Sequence, residues 1–339
     1  MNKVLIVGSG NWGSTTAKII GNNALKLNNV ENEVRMWVFE EMVDGKKLTE
    51  IINTQNENVK YLPGIKLPKN VVAYPNLEEA VVGCNVLVFV TPHQFIESIC
   101  EQIKGKLPKD CKAISLVKGV HVDSKGITLI SNYISKELGI EVSTLSGANI
   151  ADEIAIERFS ETTIGYVNEQ DGKFYFDLFN TPYFRVSIVP DVHGVEMCGA
   201  LKNIVAIAAG IIDGMELGPN TKAAIIRIGL MEMKKFAQVY LEGVKENTFF
   251  ESSGVGDLIT TCYGGRNRKV AEAHVRTGKS FEELEKELLN GQKLQGTITS
   301  KEVNQFLSAR NQEDEFPLFT KVYRICYKGL PPSEIVEGL

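Results

Sequence analysis

The chain has no Cys-x-x-Cys pair. Its six cysteines stand at 84, 100, 111, 198, 262 and 326, and those intervals match no zinc framework. In a chain of 339 residues they read as reduced, mostly buried thiols. Nor is one sign of charge in excess: 37 basic residues against 42 acidic ones leave −5. That excludes the broad electrostatic footprint of a nucleic-acid or anionic-membrane binder, while a local basic pocket for one phosphate stays open. Long apolar runs are missing too; the best stretch, 204–212, is far too short to span a bilayer. Repeats and low-complexity linkers are absent. The first strand starts almost at residue 1, so no cleavable targeting peptide is expected. The final Glu-Gly-Leu is not the peroxisomal address. The expectation is a cytoplasmic protein with a small-molecule ligand, no nucleic-acid partner and no membrane.

What is present is an ordinary globular composition, 43% hydrophobic with a mean hydropathy of −0.06. The length favours two domains over one core. Through the first half, short β-rich runs alternate with helical ones. Strands are expected at 3–8, 32–39, 85–91, 111–117, 141–147, 162–168 and 184–190, and helices at 9–20, 94–107 and near 126–138. The asparagine-rich stretch 22–33 reads as a loop. Such alternation implies a parallel sheet with helices on both faces. After Pro190 the texture changes. Residues 191–215 form a helix that is apolar nearly all round, hence buried. Residues 220–241 follow an N-cap signal at Asn220. Residues 280–291 carry Ser280 as cap, Glu283 as its box partner and Gly291 as stop. The division expected is an α/β domain over 1–190 and an all-α domain over 191–339.

The first βα turn reads "LIVGSGNWGS", residues 5–14. A strand feeding G-x-G-x-x-G feeding a helix has a physical logic. Gly8 allows the sharp turn, Gly10 lets backbone approach a pyrophosphate, and Gly13 lets helix and strand pack closely. This context makes the N-terminal domain Rossmann-type. After the second strand stand Phe39, Glu40 and Glu41. An acid there suits ribose hydroxyls and disfavours a 2′-phosphate, which points to NAD rather than NADP. The other reading of Glu40 is an acid at a helix start.

Three further places are unusual. Lys118 sits just past a strand, where ligands of such sheets bind. Lys202 lies in "CGALKNIVAIAAG", where every neighbour but Asn203 is small or apolar; such a lysine must be paired or desolvated, and can then pass a proton. Asp257 and Thr261 in "SGVGDLITTCYGGRNR" are spaced to share a helix face. Asp257 suits a helix cap or an ammonium partner. Arg266 and Asn267 follow a glycine pair and suit a phosphate.

Together these segments resemble the NAD-dependent glycerol-3-phosphate dehydrogenases of the eukaryotic cytosolic type. The carrying residues are "GSGNWGS" (8–14), "MWVFEE" (36–41), "PHQF" (92–95), "SLVKGV" (115–120), "GANIADEIA" (147–155), "VEMCGALKNIVAIAAGIIDGM" (195–215), "NTKAAIIRIGLMEM" (220–233), "SGVGDLITTCYGGRNR" (252–268), "QKLQG" (292–296) and "FPLF" (316–319). The resemblance implies a cleft between two domains, a homodimer, and reversible reduction of dihydroxyacetone phosphate by NADH. It implies that Gly8, Ser9, Gly10, Asn11, Trp12 and Gly13 hold the pyrophosphate. Phe39 then lies near the adenosine, Phe95 lines the cofactor site and Ala151 contacts the nicotinamide side. Lys202 is the catalytic lysine, oriented by Asp257, with Lys118 stabilising charge. Lys118, Asn203 and Thr261 surround the substrate. Arg266 and Asn267 take its phosphate, Arg266 also serving the cofactor site, and Lys293 and Gln295 belong to a loop closing over cofactor. Two rivals stay open on the residues alone: a hydroxyacid dehydrogenase of the same plan, and a non-catalytic NAD sensor.

Overall fold

A computed structural model describes residues Met1–Leu339. The chain divides into two compact units, Met1–Gly119 with Ile130–Val192, and Val120–Leu129 with His193–Leu339.

Strands along the chain are β1 (Asn2–Val7), β2 (Val30–Trp37), β3 (Met42–Val43), β4 (Lys46–Lys47), β5 (Val71–Tyr74), β6 (Val86–Phe89), β7 (Lys112–Ser115), β8 (Val120–Val122), β9 (Ile127–Leu129), β10 (Glu141–Ser146), β11 (Ser160–Gly165) and β12 (Phe184–Val189). Eight form one sheet in the first unit, ordered β12-β11-β10-β7-β6-β1-β2-β5. β1 pairs in parallel with β2 (Ile6 opposite Met36) and with β6 (Ile6 opposite Val88). The order reverses at β1, so the ends of β1 and β6 make the switch point where ligands of such sheets sit. The helices of this unit are α1 (Asn11–Ala24), α2 (Leu48–Gln55), α3 (Leu77–Ala80), α4 (Ile96–Ile103), α5 (Ile130–Leu138), α6 (Ala151–Ala155) and α7 (Glu169–Phe179). Alternation along β1 feeds two cores. Val4 and Ile6 pack with Ile20, Tyr175 and Phe179, while Leu5 and Val7 pack with Ile96, Ile99 and Ile134.

Several elements differ from the sequence reading. The sheet is parallel except at β10 and β11, which are antiparallel. Their connection carries only the five-residue α6, too little helix for a crossover, so the chain turns back. The 22–33 stretch is mostly ordered: α1 runs to Ala24 and β2 starts at Val30. Asn23 is a buried clamp whose amide donates to the carbonyls of Leu178 (3.0 Å) and Asn180 (3.2 Å). The helix expected near 126–138 begins only at Ile130; before it, β8 and β9 form a hairpin. Asp123 closes its turn by accepting from the backbone N–H of Lys125 and Gly126. The division drawn at 190 places this hairpin in the first domain, yet Val120, Val122 and Leu129 are buried in the core of the second unit.

That unit is built from α8 (Val192–Gly214), α9 (Gly218–Tyr240), α10 (Asp257–Gly264), α11 (Arg266–Thr277), α12 (Phe281–Leu289), α13 (Gln295–Ser308) and α14 (Pro317–Lys328). α8 is longer and more apolar than the run 204–212 suggests. Its length and composition would serve a membrane crossing, but nearly all of that window is buried within the protein. α9 starts before Asn220, with Pro219 in its first turn, a position where a missing N–H costs nothing. The Ser280–Glu283 capping box forms as expected. All six cysteines are free thiols. Burial pushes Cys84 up to about 11 and Cys100, Cys111 and Cys262 up to about 12, so they are poor nucleophiles.

Glu232 on α9 is buried and accepts hydrogen bonds from the N–H groups of Leu318 (2.8 Å) and Phe319 (3.0 Å) at the start of α14. Burial raises its carboxyl to about 7, against these two bonds. The folded state therefore holds this proton more tightly than the unfolded chain, whose glutamate titrates near 4.5. The stabilisation is full below that value and is lost as pH rises through about 7. Compared with Glu232→Gln, the unsubstituted protein is expected to lose up to about 3 kcal/mol of unfolding free energy across this window. Urea unfolding at the two ends of the window checks this, and a difference constant with pH would refute it.

Candidate active site

The glycine turn joins β1 to α1. A Cβ on Gly13 would lie 2.4 Å from the Gly8 carbonyl oxygen, so only glycine lets helix and strand approach this closely. Gly8 has φ +126°, with Thr91 against it. A Cβ on Gly10 would meet nothing within 4 Å. The middle glycine therefore faces open space at a helix N-terminus, which is the surface a pyrophosphate needs. The Trp12 ring packs edge-on against Phe184 at 6.0 Å, which turns it away and leaves backbone to serve the loop. Asn11 donates to Asp152 Oδ1 at 2.8 Å, and Thr15 to the Ala151 carbonyl at 3.3 Å. These bonds dock α6, and with it Ala151, beside the start of α1.

Phe39 follows β2 and is 71% exposed; Phe95, after β6, is 50% exposed. Exposed rings at the strand ends of such a sheet suit stacking on a base or lining a planar ligand. Glu40 is engaged elsewhere: Thr49 donates to it from N (3.2 Å) and Oγ1 (2.5 Å). It thus caps the start of α2 from outside the helix. Lys118, past β7, is exposed and donates to the Gly147 carbonyl after β10 at 3.3 Å.

In the second unit, Lys202 is 7% exposed in the middle of α8 and Asp257 is 3% exposed at the start of α10. Lys202 Nζ donates to Asp257 Oδ1 at 2.5 Å and to Thr261 Oγ1 at 2.8 Å. Thr261 spends its own proton on the Asp257 carbonyl at 2.7 Å, which turns an oxygen lone pair toward the ammonium. Of the two fates open to a buried lysine, pairing is the one realised. Asp257 is aimed by the π-helical turn Ser252–Gly256 just before it. That turn is possible because a Cβ on Gly254 would lie 2.3 Å from the Phe249 carbonyl oxygen. Single π turns are frequent at functional sites.

Arg266 and Asn267 open α11 behind Gly265, with no acidic residue in the first turn. Asn267 Nδ2 donates to Asn203 Oδ1 at 3.1 Å, and Gly296 N donates to Asn267 Oδ1 at 2.8 Å. Arg266 Nη1 donates to Gln292 Oε1 at 2.9 Å. The result is a guanidinium, two amides and a helix N-terminus adjoining Lys202 in sequence or contact, a donor set for an anion. Lys293 pairs with Glu285 at 2.8 Å, which raises the pKa of the lysine. Gln295 opens α13 and bonds Thr299 at 3.2 Å.

Reading the sequence missed Glu285, Gln292 and Asn58. Glu285 is buried and also accepts from Leu294 N at 3.0 Å. Its signal was present: a carboxylate on the same helix face as Phe281, Leu284 and Leu288. Gln292 gives no such signal, being an exposed polar residue between α12 and α13.

Comparison with known proteins shows the family of the chain. Residues 3–172 match the N-terminal domain of NAD-dependent glycerol-3-phosphate dehydrogenase, and residues 191–337 its C-terminal domain. The chain is 58% identical over 338 residues to the cytoplasmic glycerol-3-phosphate dehydrogenase [NAD(+)] of Bos taurus, covering 99% of this chain and 97% of that one. It is equally similar, at 58%, to the glycerol-3-phosphate dehydrogenase 1-like protein of Xenopus tropicalis, covering 99% and 96%. The solved glycerol-3-phosphate dehydrogenase of Saccharomyces cerevisiae superposes with a TM-score of 0.96 at 48% identity, covering 98% of each chain. With both domains matched and the similarity running over nearly the full chain, the chain belongs to the NAD-dependent glycerol-3-phosphate dehydrogenase family.

Proposed function

We propose that the protein interconverts dihydroxyacetone phosphate and sn-glycerol 3-phosphate with NAD as its redox partner. The observation that carries this is the buried ammonium of Lys202, held by Asp257 and Thr261 and adjoining the Asn203, Asn267 and Arg266 donors. When bound, the nicotinamide supplies or accepts a hydride. The residues Gly8 to Gly13, with Phe39, Phe95 and Ala151, would hold the dinucleotide, and the family resemblance assigns Lys293 and Gln295 to the cofactor as well. Lys202 gives its Nζ proton to the oxygen of the ketone as that oxygen gains negative charge, and takes it back in the reverse direction. By the family resemblance, Lys118 supplies a further positive charge toward the substrate. Asn203 and Thr261 orient the substrate, while Arg266 and Asn267 take its phosphate. Binding energy from the phosphate is then available to position the ketone. The cytoplasm and a homodimeric state belong to the same reading, supported by the relatives named cytoplasmic and by the family resemblance.

The test follows NADH absorbance with dihydroxyacetone phosphate, with unphosphorylated dihydroxyacetone, and with a carboxylate-bearing ketone. Rapid loss of NADH with the phosphate alone is the expected result. Turnover only with the carboxylate would replace this substrate by a hydroxyacid. Binding of NADH with no turnover of any ketone would make the protein a sensor.

A further inference from the structure

Asn58 lies between α2 and β5, far in sequence from the glycine turn, and is 0% exposed. Its Nδ2 donates to the Ser9 carbonyl at 2.8 Å and to Ser14 Oγ at 2.9 Å. Ser14 Oγ donates to the same carbonyl at 3.2 Å. The other end of the amide is committed too: Asn58 Oδ1 accepts from Tyr61 N at 3.1 Å. Asn58 thereby pins the one carbonyl between Gly8 and Gly10. Tyr61 reaches the other way. Its hydroxyl donates to Glu41 Oε2 at 2.7 Å, and Lys60 Nζ donates to Glu41 Oε1 at 2.6 Å. These two bonds hold the Glu41 carboxyl below its ordinary value. Glu41 stands two residues after the exposed Phe39.

We propose that Asn58 and Tyr61 are positioning residues for the dinucleotide, bracing the Gly8–Gly13 loop and the strand end that carries Phe39 at a fixed spacing. The inference rests on the NAD reading above. A loop with glycines on either side of Ser9 has many conformations open to it. Fixing its carbonyl from the buried side removes most of them before ligand arrives, which lowers the ordering cost of binding. Tyr61 does the same for the β2 end through Glu41, and Glu40 is already fixed by Thr49. If Asn58 and Tyr61 only filled the core, their loss would lower stability and leave the affinity of the folded protein for NADH unchanged.

NADH affinity of the full chain can be read from quenching of tryptophan emission, since the only two tryptophans are Trp12, in the loop, and Trp37, at the end of β2. The unsubstituted protein is measured first; failure to bind NADH there would sink the cofactor reading itself, a result distinct from failure of the brace. Tyr61→Phe deletes one bond at the rim, and its Kd for NADH is expected to rise about threefold or more. Asn58→Asp keeps the volume but replaces the donor facing Ser9 by an acceptor, and Asn58→Ala removes it. Both are expected to raise that Kd about tenfold or more. At saturating NADH, the KM for the ketone is expected to stay within about twofold, because every bond of the brace joins residues of the first unit. An unchanged NADH Kd in folded Tyr61→Phe overturns the brace, even where the Asn58 variants do not fold. A proportional rise in NADH Kd and ketone KM overturns it as well, since that is general loosening.

Discussion

Lys202→Ala is expected to cut turnover by about a thousandfold or more while NADH binding is retained. Under the proposed reaction two terms are lost together. The proton donor disappears, and so does the positive charge that meets the developing oxyanion. Each is worth roughly two to three orders of magnitude in other acid-base and oxyanion sites. The variant has a second consequence. Asp257 is 3% exposed and loses the ammonium that lies 2.5 Å away; an uncompensated buried carboxylate costs about 3–5 kcal/mol. Lower activity and lower stability are therefore expected from one substitution. They separate in the pair Lys202→Met and Lys202→Met/Asp257→Asn. The double variant removes both charges, so it is expected to regain stability relative to Lys202→Met and to regain no turnover. Activity within about tenfold of the unsubstituted enzyme in a folded Lys202→Ala protein would remove Lys202 from its role.

The parts of this site legible in the sequence are those where a residue violates its surroundings. A lysine inside an apolar helix is such a violation, and of the two roles open to Asp257 the structure shows the ammonium partner, as compensation of a buried charge requires. The spacing of Asp257 and Thr261 put both on one face of α10, and both bond Lys202. The glycine turn was legible because steric demands at Gly8 and Gly13 admit almost nothing else. Alternating apolar strands gave most of the sheet for the same reason: β1 is buried on both faces. What stayed hidden depends on long-range pairing. Asn23 and Asn58 are ordinary loop residues by type. Each becomes a buried anchor only because a carbonyl distant in the chain faces it. Of the β8–β9 hairpin, β9 was read as the start of a helix and β8 went unread, because three-residue strands carry too little periodicity to show; the hairpin's burial in the second unit has no local signature at all. Glu40 shows the opposite limit. Its place after β2 suited a ribose, yet a threonine nine residues on takes both its oxygens.

Arg266→Ala is expected to raise the KM for dihydroxyacetone phosphate by about a hundredfold or more, with a smaller effect on kcat. The guanidinium opens α11, where the helix end already favours an anion, and Asn267 beside it is fixed by Asn203 and Gly296. Removing Arg266 leaves those neutral donors in place, so binding of the phosphate weakens without the pocket being abolished. Arg266→Lys separates charge from shape. The ammonium restores the unit charge but not the forked pair of N–H groups, so it is expected to recover only part of the loss. The Gln292 contact adds a readout that a plain phosphate anchor would not have. Arg266 Nη1 holds Gln292 Oε1 at 2.9 Å, at the head of the segment that runs through Lys293 to Gln295. Loss of the arginine frees that segment, and NADH Kd is expected to rise by a few-fold at most, about what one neutral-acceptor hydrogen bond provides. Gln292→Ala isolates this second part: it is expected to reproduce the NADH effect and to leave the ketone KM near its original value. An unchanged ketone KM in Arg266→Ala would place the phosphate elsewhere. An unchanged NADH Kd in both variants would confine Arg266 to the phosphate, with Gln292 serving only to hold the guanidinium still.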